Sequence, residues 1–266
     1  MNTQLPPDVA AALSRVPTPP PRVFFYPEIT STNDVAARLA DGGAEEGCLV
    51  LADAQSLGRG RLGRSWVSPA GAGIYATLIL RPSAALASLL TITAGVAIAE
   101  GIQSATGLSP RLKWPNDVIV EESIGPAAGR KLAGILAEGG TSAAGSSWVV
   151  LGFGINVRPA AYPPEVAARA TSLETELGRS VDRGLVLAEC VAALFARYRE
   201  LYNGHATSVI DAWRTRAASM LGRRVEWQSE GKPVNGIARD IDETGALVVS
   251  QRDGIVRVIS GEVRWM

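Results

Sequence analysis

Apolar residues recur at helical spacing from Val181 to Met220, and after Gly222 that rhythm stops. "DRGLVLAECVAALFARYRELYNG" and "SVIDAWRTRAASML" read as two amphipathic helices. "RRVEWQSEGKPVNGIARDIDETGALVVSQRDGIVRVISGEVRWM" reads as short strands cut by Gly, Asn and Asp turns. Before Val181 the chain alternates strands and helices instead. Such a switch implies a large α+β domain with a small all-β domain leaning on it. We set the divisions at 1–22, a loose polar and Pro-rich arm, 23–220, the large domain, and 221–266, a small β-barrel.

Within the large domain, "TSTNDVAARLADGG" reads as a helix with Ser31 as its cap and Gly42 at its end. "GCLVLADAQ" and "GIYATLIL" read as buried strands, and about Ala85 to Thr106 as one apolar helix. "PRLKWPNDVIVEE" reads as two short strands around the Pro115 corner. "GRKLAGILAEGG" and "SWVVLGFGINV" complete the strands. Gly134, Gly152 and Gly154 inside them mark places where something approaches the backbone.

Charge narrows the function. Lys plus Arg equals Asp plus Glu, so a general polyanion binder is disfavoured. Yet no acid lies between Asp53 and Glu100, while Arg59, Arg61, Arg64 and Arg81 do. Three of these arginines fall in "GRGRLGRSW", Gly58 to Trp66, spaced by glycine. As a plain surface loop this crowds like charges with no acid nearby to offset them, and it adds backbone entropy. As a nucleic-acid tract it lacks repeats and a broad basic face. As a flap over a small anion it has a physical purpose. A carboxylate attacking the α-phosphate of ATP meets a repulsion of about 3 kcal/mol per charge pair at ~5 Å. Guanidinium forks offset that repulsion, and a flap that orders on binding excludes water from an activated acyl group.

Other residues suit such a site. Lys131 in "GRKLAG" is the amine to place beside the reacting carboxylate. "LKWPND" offers Lys113, Asn116 and Asp117; Asp117 is read as a Mg²⁺ ligand, a guide for an incoming amine or a turn residue. Asn156 in "GFGIN" is within reach of phosphate or ribose. Ser31, Thr32, Asn33 and Gln55 supply neutral donors and acceptors for a urea or amide ring. Trp66 is either a core anchor or a platform for adenine. Cys48 and Cys190 read as buried thiols, and His205 as a helix-start or surface residue. No leader-like or membrane-spanning run is present in the sequence, which points to the cytoplasm.

Taken in order, "STN", "Q..GRGRLGRSW", "KWPND", "GRKLAGIL", "GFGINV" and "TSL" resemble the biotin protein ligases, over about Phe24 to Met266. The resemblance implies a class II synthetase-like mixed sheet with flanking helices and an SH3-like C-terminal barrel. It implies that biotin and ATP, with Mg²⁺, give biotinyl-5′-AMP, and that biotin then passes to a lysine of a biotin carboxyl carrier protein. It puts Ser31, Thr32, Asn33, Gln55, Arg59, Gly60, Arg61, Lys131, Gly134 and Gly154 at biotin. Arg61, Arg64, Trp66, Lys113, Asn116, Asp117 and Asn156 fall at the nucleotide, and Lys131, Arg61 and Asp117 at the chemistry. Only about 30 residues precede "STN", too few for a winged helix, so an enzyme-only type that binds no DNA is expected. Strand-edge pairing into a homodimer is implied too. "VEESIGPAAGR" lengthens the connection before Lys131, and "QSLGRG" departs slightly from the usual flap start. Two alternatives stand beside this reading. One is a lipoate ligase or octanoyl transferase of the same superfamily; the other is a nucleic-acid-binding module.

Overall fold

A computed structural model describes residues 4–20, 22–121, 129–143, 145–229 and 231–266. The chain begins with α1 (Pro7–Leu13), followed by β1 (Val23–Ile29), α2 (Thr32–Asp41), β2 (Leu49–Gln55) and β3 (Gly73–Leu80). Next come α3 (Ala84–Ala87) and α4 (Leu90–Thr106), the hairpin β4 (Arg111–Lys113) and β5 (Asp117–Val120), and β6 (Arg130–Thr141) with β7 (Ser147–Asn156). Two short helices, α5 (Pro164–Ala167) and α6 (Leu173–Leu177), lead to α7 (Arg183–Tyr202) and α8 (Ala206–Ala217). The chain ends in β8 (Arg224–Ser229), β9 (Lys232–Ile241), β10 (Leu247–Gln251), β11 (Gly254–Val258) and β12 (Val263–Trp265).

The first seven strands form one mixed sheet in the order β1-β2-β3-β7-β6-β5-β4. β1 and β2 run parallel, joined by the α2 crossover, and the other neighbours are antiparallel. Every residue of β3 is buried, as expected for a central strand covered on both faces. Alternation sorts the side chains. Phe25, Leu49, Leu51 and Leu78 join the large core that also takes in α4 and α7. Phe24, Val50, Ile79 and Val150 face α2 through Val35, Ala36 and Ala40. α4 crosses α7 closely: a methyl on Gly101 would sit 2.5 Å from the backbone N and Cα of Cys190.

The apolar segment expected as one helix from Ala85 is broken. Ser88 and Leu89 separate α3 from α4, with the Ser88 hydroxyl turned back onto the Ala85 carbonyl. The stretch read as a loose arm also differs. Pro6 and Pro7 start α1, and Val9, Leu13 and Val16, at spacing i, i+4, i+7, are buried beside α7. Buried apolar area outweighs the proline-rich composition there.

After Gly222 (φ +89°) the second sheet pairs in the order β11-β10-β9-β8-β12. Val225, Trp227, Ala238, Leu247, Val249 and Trp265 form its buried side. It is tied to the large domain by Trp114 Nε1, which donates to the Gly245 carbonyl at 2.9 Å, and by the Arg214 fork on Asp240. The lengthened connection before Lys131 falls mostly outside the described residues. Among the described residues no helix is long and apolar enough to cross a membrane.

Candidate active site

The site forms on the α2 side of the sheet. The N-terminus of α2 meets the end of β2, and β6 and β7 supply the floor. Gln55 Oε1 accepts from the Thr32 backbone N–H at 2.8 Å and faces the Thr32 hydroxyl at 3.1 Å. Its amide donates to Ser68 Oγ at 2.8 Å. Gln55 therefore satisfies one of the N–H groups that a helix start leaves unpaired, besides facing the cavity. Ser31 occupies the N-cap position, but its side chain makes no capping bond; it is buried and lines the cavity. Thr77 Oγ1 lies 2.8 Å from Thr32 Oγ1 and 2.7 Å from Asn33 Oδ1.

Ser31, Thr32, Asn33, Gln55, Arg59, Gly60, Arg61, Trp66, Asn116, Lys131, Gly134 and Gly154 line one cavity of about 50 Å³. Gly152, Ile135, Leu136 and Phe153 complete its wall. Ile135, Leu136 and Phe153 were not singled out from the sequence, which marks Gly152 only as a place of close approach. Arg64, Lys113, Asp117 and Asn156 stand outside the lining.

The glycines do mark close approach, and what approaches is the protein itself. A methyl on Gly152 would sit 2.1 Å from Asn33 Oδ1, and one on Gly154 2.4 Å from Trp66 Nε1. Gly134 pairs with Gly154 across the β6–β7 ladder and lies under the same indole. Trp66 thus lies against a glycine floor, 5.1 Å from Lys131 Nζ measured to its ring centre. Its buried Nε1 has no hydrogen-bond partner among the described residues, a cost of about 1–3 kcal/mol unless an acceptor is supplied.

The arginine segment folds back on itself. Trp66 N–H donates to the Gly58 carbonyl at 2.8 Å and Gly60 N–H to the Arg64 carbonyl at 2.7 Å. Leu62 at its tip takes φ +56° and is exposed. The sequence places no acid near these arginines, but the fold does. Arg59 pairs with Asp34 at 2.5 Å and with Glu138. Arg64 pairs with Glu262, in the turn between β11 and β12, at 2.5 Å. Arg61 donates to Asn116 Oδ1 at 3.3 Å and to the Gly261 carbonyl at 3.2 Å. Burial pulls the Arg61 pKa below its usual value; Asp117 and Glu262 oppose this, and Arg64 adds to it.

Beyond Arg61, Lys131 Nζ lies 2.6 Å from Asp117 Oδ1, and Lys113 Nζ lies 3.7 Å from Asp117 Oδ2. The β4–β5 hairpin sets Lys113 opposite Asp117, and β6 sets Gly134 opposite Asp117. Burial lowers the Lys113 pKa from 10.5, Asp117 pulls it back up, and Lys131 pushes it down again. Asp117 is thus shared by two ammonium groups. Among the described residues no group of three or more His, Cys, Asp or Glu could hold a metal ion. Asn156, expected at the nucleotide, has partners within the protein. Its amide donates to the Thr171 carbonyl at 3.0 Å and faces the Lys131 carbonyl at 3.4 Å. Lys131 N–H donates to the Arg169 carbonyl and its carbonyl accepts from Thr171 N–H. Asn156 therefore braces the backbone that carries Lys131.

The result is a cavity with hydroxyl and amide groups at one end, apolar walls, and Arg61, Lys131 and Lys113 around a single carboxylate at the other. That end carries more cationic than anionic side chains and suits a bound anion.

Residues 25–156 match the model of the biotin/lipoate A/B protein ligase family, and residues 220–264 that of the biotin protein ligase C terminal domain. The bifunctional ligase/repressor BirA of Bacillus subtilis is 33% identical over 245 residues, 91% of this chain and 73% of that protein. The biotin--[acetyl-CoA-carboxylase] ligase of Mycobacterium tuberculosis is 37% identical over 243 residues, 88% of this chain and 85% of that one. The structure of the Aquifex aeolicus biotin protein ligase in complex with biotin and ATP superposes with a TM-score of 0.74 at 27% identity, covering 92% of this chain and 99% of that one. By sequence and by fold, this chain belongs to the biotin protein ligase family.

Proposed function

We propose that this chain joins biotin to ATP and then hands biotin to a lysine of a biotin carboxyl carrier protein. In the first step a biotin carboxylate oxygen bonds to the α-phosphorus of ATP. The bond from that phosphorus to the β-phosphate bridging oxygen breaks, and pyrophosphate leaves. In the second step the uncharged amine of the carrier lysine attacks the acyl carbon. An amide forms, AMP leaves with the electron pair of the broken acyl–oxygen bond, and the amine's surplus proton passes to solvent.

The observation that carries this reading is the joining of Ser31–Asn33, Arg61 and Lys131 in one cavity, from positions spread over a hundred residues. Ser31 and the threonine–asparagine pair suit the ureido ring, and Ile135, Leu136 and Phe153 suit the apolar remainder of biotin. Arg61 and Lys131 offset the repulsion between carboxylate and phosphate. Asp117 holds Lys131 in place and is the nearest carboxylate for an arriving carrier amine. Arg64, Lys113 and Asn116 lie on the nucleotide side. Mg²⁺ would travel with the ATP phosphates, since Asp117 is engaged by two lysines.

The test is incubation with biotin, Mg-ATP and a carrier domain, read by intact mass. A carrier heavier by one biotinyl group is expected; an unmodified carrier overturns the reading. Lipoate in place of biotin separates the other branch of the superfamily. The match of residues 220–264 to a biotin ligase C-terminal domain favours biotin.

A further inference from the structure

Glu138 makes two bonds that no step above uses. Its Oε2 accepts from Asn33 Nδ2 at 2.8 Å, at the ring end of the cavity, and its Oε1 accepts from Arg59 Nη2, on the flap. The other arm of the same guanidinium reaches Asp34 Oδ1 at 2.5 Å. One arginine of the flap is therefore clasped by two carboxylates from rigid elements, α2 and β6. One of those carboxylates also holds Asn33, which lines the cavity.

We propose that Glu138 and Asp34 are positioning residues that latch the 58–66 flap through Arg59, and that Glu138 couples the latch to the cavity through Asn33. Three observations support it. First, the flap is part of the cavity wall: Arg59, Gly60, Arg61 and Trp66 line the same cavity as Ser31, Asn33 and Gly154, so the position of the flap sets the room a ligand finds. Second, the glycines flanking Arg59 leave the segment little stiffness of its own, so its side-chain anchors set how often it opens. Third, a single half-exposed ion pair is weak, but one guanidinium held at both arms by two carboxylates has its fork fixed in a plane. A ligand that draws Asn33 toward itself changes the partner of Glu138 Oε2, and so the hold on Arg59.

The flap can be watched directly in the full chain by hydrogen exchange, because the Gly60 and Trp66 amides are bonded only within it. Glu138→Gln, which keeps the shape and a partner for Asn33, is expected to speed exchange in 58–66 roughly fivefold, and Asp34→Asn to do so by a similar or smaller factor. The pair Glu138→Gln with Arg59→Gln is expected to exchange no faster than Arg59→Gln alone, which already gives up both carboxylate contacts. Unchanged exchange, additive effects, or faster exchange spread across the whole chain would each overturn the latch. What the latch guards rests on the biotin reading. Biotin is expected to slow exchange in 58–66 of the unaltered protein and to dissociate roughly fivefold faster from Glu138→Gln. An unchanged dissociation rate would overturn the coupling to the cavity. Failure of biotin to protect the unaltered flap would count against the biotin reading, while the ligand-free comparison would still judge the latch.

Discussion

Lys131 Nζ and Asp117 Oδ1 stand 2.6 Å apart, joining β6 to the first residue of β5 beside the cavity. The contact fixes where the lysine ammonium points. It leaves one carboxylate balanced between two lysines, with Arg61 close by.

Replacing Lys131 removes that ammonium from the region where negative charge develops. Lys131→Met is expected to lower biotin-dependent ATP–pyrophosphate exchange by about a hundredfold or more, with unfolding little changed, because the lysine lies at the cavity rim. An exchange rate within a few-fold of the unaltered enzyme would remove Lys131 from the adenylation step.

Lys113 sets a pH dependence. Its pKa in the folded chain lies below 10.5, chiefly through burial. Between that lowered value and 10.5 the unfolded chain binds more protons, so stability rises with pH across this window. Lys113→Met is therefore expected to be more stable than the parent at pH 7, with the difference shrinking as pH approaches 10.5. Nucleotide binding should weaken over the same alkaline window and be unaffected by pH there in Lys113→Arg. Melting curves and nucleotide titrations from pH 7 to 10.5 measure both.

Gly152→Ala would drive a methyl against Asn33 Oδ1 and dislodge it from the Thr77 hydroxyl. A loss of about 1–3 kcal/mol of stability is expected, with biotin binding weakened at least tenfold. Gly154→Ala would instead lift Trp66 from the floor, since the indole is the group it meets. Denaturant melts and isothermal titration distinguish the two.

Gly101→Ala serves as the contrast. Its methyl would meet the backbone of α7 at Cys190, far from the flap in sequence and with no side chain to yield. A loss of about 3 kcal/mol is expected from the parted helices, with pyrophosphate exchange by the remaining folded protein unchanged. A selective loss of exchange would mean that α4 and α7 bear on the site.

Much of this molecule could be read along the chain. Strands and helices announce themselves by periods of two and 3.6, and β3 shows its central place by an apolar run interrupted only by Thr77. Ser31 to Asn33, the arginine segment, Lys131 and the glycines of β6 and β7 could be picked out because each departs from what its element needs. The α1 docking was missed because proline-rich composition masked three apolar residues at helical spacing. That Asn156 braces the Lys131 backbone is not legible along the chain, because a strand-end amide reads the same whether it faces a ligand or two carbonyls.

The sequence by itself determined which elements form and which residues are chemically unusual, because propensity and periodicity are local. Only the tertiary structure decided what those residues touch. Asp34, Glu138 and Glu262 lie 25, 79 and 198 positions from the arginines they meet, the last by subtracting 64 from 262. Such partnerships depend on strand order and register, and a charge in a sequence carries no mark of the opposite charge that folding will bring beside it.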